Sequence, residues 1–142
     1  MKGYLFLDFD GVINVFEEGK MAFPSRKAVS YLNQFILETN LQVVLTSTWR
    51  LRGVEYCYEH LKKGGLSLPL DVFLSTQTKS FLAREEEISL FLSERDPKPY
   101  LVVDDASLIL PRTHFVQCHP RRGWDEEVDH QLRHLAQEMG LL

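Results

Sequence analysis

Cysteine is scarce in this chain: of 142 residues only Cys57 and Cys118 carry a thiol, in no CxxC pair and beside no histidine at metal-ligand spacing. A disulfide scaffold and a Cys/His zinc module are thereby excluded, and two free thiols in a reducing compartment are expected. No apolar run approaches the ~20 residues of a membrane span. The short apolar stretch after Lys2 is broken by Asp8 and Asp10 well before signal-peptide length. A cytoplasmic protein with no membrane partner is the expectation. Positive charge is not in excess either, and a net charge of −4 argues against a dedicated nucleic-acid protein while leaving room for a local basic rim. Internal repeats and low-complexity segments are missing. With 44% hydrophobic and 25% charged residues, residues 1–142 fit one globular domain.

The most informative segment present is Tyr4-Leu-Phe-Leu-Asp8-Phe-Asp10-Gly11-Val12, an apolar strand that stops in two carboxylates and a glycine. Each unpaired buried charge costs several kcal/mol to desolvate, so a cation or a hydrogen-bond network is implied. The two-residue period of a strand puts Asp8 and Asp10 on one face and Phe9 on the other. Gly11 is expected to turn the chain sharply and to leave space for a ligand.

Further strand-like runs occur at residues 41–47, 71–75, 100–104 and 114–118, separated by helix-length or loop-length segments. This alternation predicts an α/β fold: a three-layer, Rossmann-like parallel sheet of about five strands with helices on both faces. Ser25 is a candidate N-cap for a helix with Ala28, Leu32, Phe35 and Ile36 inward, ending near Asn40. A second helical pattern covers 80–94, with Phe81, Leu82, Ile88, Phe91 and Leu92 inward. A third runs from Trp124 to Met139, with Val128, Leu132, Leu135 and Met139 buried and Gly140 as its stop. His130 and His134 then fall on its solvated face. Residues 13–23 suggest a short hairpin flap beside the first strand's end.

Ligands of a parallel sheet bind beyond the carboxyl ends of its strands. Those ends carry Asp8 and Asp10, then Thr46, Ser47 and Thr48, then Asp104 and Asp105, then His119, Arg121 and Arg122. Oxygen-only ligands from Asp8, Asp10 and Asp104 favour Mg²⁺ over softer metals. Trp49, Arg50, Arg52, Arg121, Arg122 and Trp124 are expected to form a rim that binds phosphates and stacks bases.

These elements resemble, in order, the haloacid dehalogenase-like (HAD) phosphohydrolase superfamily across most of the chain. The first motif, DxDGV, stands as Asp8 to Val12; the second, a hydroxyl after an apolar strand, as Thr46; the fourth, an acidic pair, as Asp104-Asp105. For the third motif, a basic residue entering a helix, Arg84 is the choice and Lys79 the competitor. The segment Thr46-Ser-Thr-Trp49-Arg50 is most similar to small HAD domains of nucleic-acid repair proteins. The resemblance implies a Mg²⁺-dependent phosphatase in which Asp8 is nucleophile and metal ligand, and Asp10 carries the proton and binds metal through its backbone carbonyl. Thr46 and Ser47 would hold the phosphoryl group, Arg84 would offset its charge, and Asp105 would orient Arg84 or a metal-bound water.

Only 33 residues separate Val12 from Thr46, which leaves little room for a cap domain. An open site suits a phosphorylated nucleotide or nucleic-acid end, or a partner subunit that covers it. Two other readings are a catalytically idle HAD-like binding module and a receiver-like phospho-acceptor. In a receiver the phosphorylated aspartate follows the third strand, whereas here Ser75-Thr76 stand there. A calcium loop is excluded, because its glycine is sixth and follows a helix.

Overall fold

The structure, a computed structural model, describes residues 1–15, 23–76 and 82–142. Five strands, β1 (Tyr4–Leu7), β4 (Gln42–Leu45), β5 (Phe73–Ser75), β6 (Tyr100–Asp104) and β7 (Phe115–Gln117), form a parallel sheet in the order β5-β4-β1-β6-β7. A minor antiparallel pair joins β2 (Asn14–Val15) to β3 (Phe23–Pro24). Helices α1 (Arg26–Thr39), α2 (Val54–Lys63), α3 (Arg84–Ser93) and α4 (Glu126–Glu138) complete the domain, with a 3-10 turn at Thr48–Arg52. No described helix is long and apolar enough to cross a membrane.

The near-continuous apolar strands have a direct cause: both faces of the sheet are covered. Leu5, Leu7, Val43, Leu45, Leu101 and Val103 face a core shared with α1, α2 and α4, while Tyr4, Phe6, Val44 and Val102 meet Ile88 and Phe91 of α3. In register, Phe6 lies between Val44 and Val102 and Leu7 between Leu45 and Val103. The chain builds β4 and β5 on one side of β1, then crosses to β6 and β7 on the other. The crevice of such a sheet opens where that order reverses, between β1 and β6.

Local signals place the helices. Ser25 caps α1 by accepting a hydrogen bond from the Ala28 amide, and Asn40 closes it in a left-handed conformation with its amide on the Ile36 carbonyl. Asp125 caps α4 through the Val128 amide, so it precedes the helix expected to begin at Trp124. Trp124 itself lies in the core, its indole N–H on Asp129 Oδ1 at 3.1 Å. Ala136 and Asp129 share the buried face of α4 with Val128 and Leu132, while Leu135 and Met139 pack only in part. His130 and His134 are exposed, as their spacing implies.

Helix α3 starts at Arg84 rather than residue 80, and the exposed Leu82 lies before it. Its inward face is Glu87, Ile88 and Phe91, so a carboxylate that the apolar pattern did not include shares the buried face with Ile88 and Phe91. Phe81 and Lys79 fall outside the described residues, as does the centre of the flap. The flap's two described ends pair antiparallel, as a hairpin requires. Both cysteines are buried and free. No cap domain stands over the sheet among the described residues.

Candidate active site

β1 and β6 are neighbours, so their C-terminal acids converge. Ligand oxygens of Asp8, Asp104 and Asp105 lie within 4.8 Å of one another. Asp8 is 4% exposed and Asp104 is fully buried. Arg84, the first residue of α3, reaches across with Nη1 2.6 Å from Asp104 Oδ2 and 3.4 Å from Asp8 Oδ1. The choice of Arg84 by sequence thus lands on both acids.

Among the described residues, one guanidinium beside three carboxylates leaves the cluster short of positive charge. Burial, then the neighbouring Asp104 carboxylate, push the Asp8 pKa up to about 8 against the opposing pull of Arg84. Asp105 is also raised, chiefly by burial. An oxygen-only set with unbalanced negative charge fits a hard divalent cation. The carboxylate of Asp105 stands in that cluster, while Asp10 lies outside it and lines the same cleft.

Asp10 Oδ1 accepts from Asn14 Nδ2 at 3.0 Å, and the Trp49 indole N–H spans both Asp10 oxygens at 3.2 and 3.1 Å. Trp49 is therefore no stacking platform on the rim. It is clasped between Phe9 and His60, with ring centroids 5.8 and 4.3 Å away, and its carbonyl accepts the Cys57 thiol at 3.3 Å. That thiol stays protonated, because burial pushes its pKa up to about 11.

Thr46 follows β4 with its Oγ1 buried and, among the described residues, without a hydrogen-bond partner, facing the same cleft as Asp8 and Asp10. Ser47 caps the 3-10 turn, its Oγ accepting the Trp49 amide at 3.3 Å. Arg50 points inward rather than to the rim. Its Nη1 donates to the carbonyls of Thr46 and Ser47 at 3.1 and 3.0 Å, and its Nη2 lies 2.5 Å from Glu87 Oε1. Glu87 Oε2 in turn contacts the Thr76 hydroxyl at 3.2 Å.

Gly11 adopts φ +80, and a Cβ there would meet Asp105 Cγ at 2.6 Å and Asp105 Cβ at 2.7 Å. The space it leaves is taken by Asp105, not by a ligand. Arg121 and Arg122 are exposed on the turn after β7, which is anchored where the Trp124 amide meets the Val12 carbonyl at 2.8 Å. Neither lines the cleft. Arg52 is likewise outward, with Nη1 on the Tyr56 hydroxyl.

The cleft has a volume of about 620 Å³ and opens between Leu51, Leu82 and Leu108. A larger groove of about 850 Å³ follows the free edge of β7 and α4, but holds no carboxylate cluster. Residues that sequence reasoning missed are Asn14, His60, Glu87 and Thr76. Only Asn14, three residues after Gly11, lies within the first motif's neighbourhood; the others act from a distance along the chain with no local pattern to mark them.

A parallel sheet with this strand order, an acid pair after β1, a hydroxyl after β4 and acids after β6 under a basic helix start define a haloacid dehalogenase-like domain of phosphohydrolase type. The chain belongs to the HAD domains in Swiss Army Knife RNA repair proteins, whose family model matches residues 4–128. No curated protein and no solved structure matches the chain.

Proposed function

We propose that this chain is a Mg²⁺-dependent phosphatase that hydrolyses a phosphate monoester through an aspartyl phosphate on Asp8. The observation that carries this reading is the joint placement of buried Asp8, the Arg84 guanidinium and the Thr46 hydroxyl, which has no partner among the described residues, around one open cleft. Asp8, Asp104, Asp105 and the Asp10 carbonyl would hold Mg²⁺, which when bound offsets the repulsion between carboxylate and phosphate.

Asp8 Oδ attacks phosphorus, the bond to the leaving oxygen breaks, and Asp10 gives that oxygen its proton. Asp10 then takes a proton from water, whose oxygen attacks the aspartyl phosphate and releases inorganic phosphate and the Asp8 carboxylate. Thr46 donates to a phosphoryl oxygen, and Arg84 lowers the cost of the accumulating charge. The Arg50 guanidinium, on the carbonyls of Thr46 and Ser47, braces the backbone that carries Thr46.

For the substrate, a cleft without a cap among the described residues and membership among domains of RNA repair proteins favour a nucleic-acid phosphate end. Arg121 and Arg122, outside the cleft on the turn seated against Val12, would serve a substrate long enough to cross it. The test is turnover of an aryl phosphate, nucleotides, and 3′- or 5′-phosphorylated oligoribonucleotides with Mg²⁺. Rapid multiple turnover is expected, fastest on an oligonucleotide end, with Asp8→Asn inactive and folded by circular dichroism. Full activity of Asp8→Asn would overturn the nucleophile assignment, and equal rates on all substrates the preference.

A further inference from the structure

Asp10 is the centre of a buried polar chain that the motif does not call for. The turn after β1 directs the amides of Val12, Ile13 and Asn14 onto the Phe9 carbonyl, at 3.1, 2.8 and 2.8 Å, and so carries the fully buried Asn14 side chain back beneath Asp10. On its far side Asn14 Oδ1 lies 2.7 Å from His60 Nε2, 46 residues along on α2. His60 is buried, stacks on Phe9, and contacts Trp49, the second donor to Asp10.

The direction of each bond follows from the chemistry of the groups. An ionised carboxylate only accepts, so Asn14 presents its NH₂ to Asp10 and its carbonyl to His60. His60 Nε2 must then carry a proton and donate it. Burial, together with Lys63, holds the His60 pKa below its ordinary value and so keeps the ring neutral, and the Asn14 carbonyl beside Nε2 then selects the Nε2–H tautomer. Were the Asn14 amide turned over, its oxygen would face Oδ1 of the Asp10 carboxylate, a repulsive contact in place of a bond, and His60 would have to carry its proton on Nδ1 to accept from the NH₂. The Asp10 carboxylate therefore sets the direction of the chain, and Asn14, held from behind by His60, braces Asp10.

We infer that Asn14 and His60 are positioning residues that hold the Asp10 carboxyl for proton transfer to a poor leaving group, so that the natural substrate is an alkyl ester such as a sugar-hydroxyl phosphate. The inference rests on the phosphatase reading. An aryl oxide of low basicity leaves without help, so a site built for aryl or acyl phosphates gains little from a fixed acid; an alkoxide gains much. Asn14 ties Oδ1 of Asp10, leaving Oδ2 with only the shared Trp49 contact among the described residues and thus with capacity for the transferable proton.

The experiment compares 4-nitrophenyl phosphate with glycerol 2-phosphate in wild type, Asn14→Ala, His60→Phe and His60→Gln. Positioned acids are worth ~100-fold or more, so Asn14→Ala is expected to lower kcat at least about tenfold further on the alkyl ester than on the aryl ester. His60→Phe keeps the stack on Trp49 and is expected to show the same split, and His60→Gln, which retains a donor, to recover part of the loss. Equal losses on both esters would overturn the inference while leaving the phosphatase reading intact; a wild type inert on both would overturn that reading. Independently of turnover, ¹⁵N shifts of His60 are expected to report the Nε2–H tautomer, and the Trp49 indole resonance to move in Asn14→Ala. A cationic or Nδ1–H imidazole would overturn the chain of bonds whatever the rates.

Discussion

Single atoms in this site carry costs that only a ligand offsets. The Thr46 hydroxyl is the clearest, being buried without a partner among the described residues. A buried hydroxyl left unpaired costs ~1–3 kcal/mol, and a valine of nearly the same shape avoids that cost. Thr46→Val is therefore expected to leave stability unchanged or raise it by up to about 1 kcal/mol in urea unfolding, while weakening inorganic phosphate binding and slowing turnover. A residue that served the fold would give the opposite pair of results: lost stability with catalysis preserved. Gly11 shows a different residue-scale constraint. Its positive φ and the approach of Asp105 leave no room for a side chain, so the glycine of DxDG here admits an acid from β6 rather than a ligand.

At the scale of elements, the question is what holds the start of α3 against the ends of β1 and β4. The Arg50 guanidinium provides the tie: from the 3-10 turn it binds the Thr46 and Ser47 carbonyls and reaches Glu87 in the first full turn of α3 after Arg84. Both partners are nearly buried, at 9% and 6% side-chain exposure. Removing one partner of such a pair strands the other, at about 3–5 kcal/mol. Arg50→Met is expected to lose stability of that order and to impair Arg84-dependent turnover, whereas Arg50→Met with Glu87→Leu loses less than the single change, a coupling that a double-mutant cycle in urea measures. Had Arg50 belonged to a substrate rim, its removal would be thermally silent. This pair also marks where sequence reasoning ended. Strands were legible because β1, β4 and β6 are buried on both faces and hence nearly uniform in composition. The ends of α1 were legible because Ser25 and Asn40 act locally. The start of α3 was not, since Ala83 caps it without a side-chain bond and Leu82 extends the apolar pattern past the helix. The acids could be placed from sheet topology, and Arg84 from the resemblance to the family's third motif. The inward turn of Arg50 and Trp49 could not, because their partners Glu87 and Asp10 lie 37 and 39 residues away and nothing in composition distinguishes an inward arginine from an outward one.

For the molecule as a whole, the site is a source of instability that depends on pH and on cation. Asp8 titrates near 8 in the folded state against an ordinary 3.8, because burial and Asp104 disfavour its charge. Between about pH 4 and 8 the folded protein retains a proton that the unfolded chain has released, so stability in the absence of metal falls as pH rises, by up to ~1.4 kcal/mol per pH unit for this group. The sign is opposite to that of a carboxylate held by a salt bridge, whose stability falls on acidification. Replacing Asp8 by asparagine removes the term, and the Tm of Asp8→Asn relative to wild type is expected to climb from pH 5 to pH 8 in the presence of a chelator. Divalent cation acts in the reverse sense on the wild type: binding the ionised cluster stabilises by about 2.7 kcal/mol at a hundredfold excess over Kd, and the gain grows with pH because protons no longer compete. Thermal unfolding at both pH values, with and without Mg²⁺, separates the two effects. A wild type that gains stability on Asp8→Asn equally at pH 5 and pH 8, or that Mg²⁺ stabilises no more at the higher pH, would show that Asp8 lies outside the charge imbalance from which its reactivity is argued.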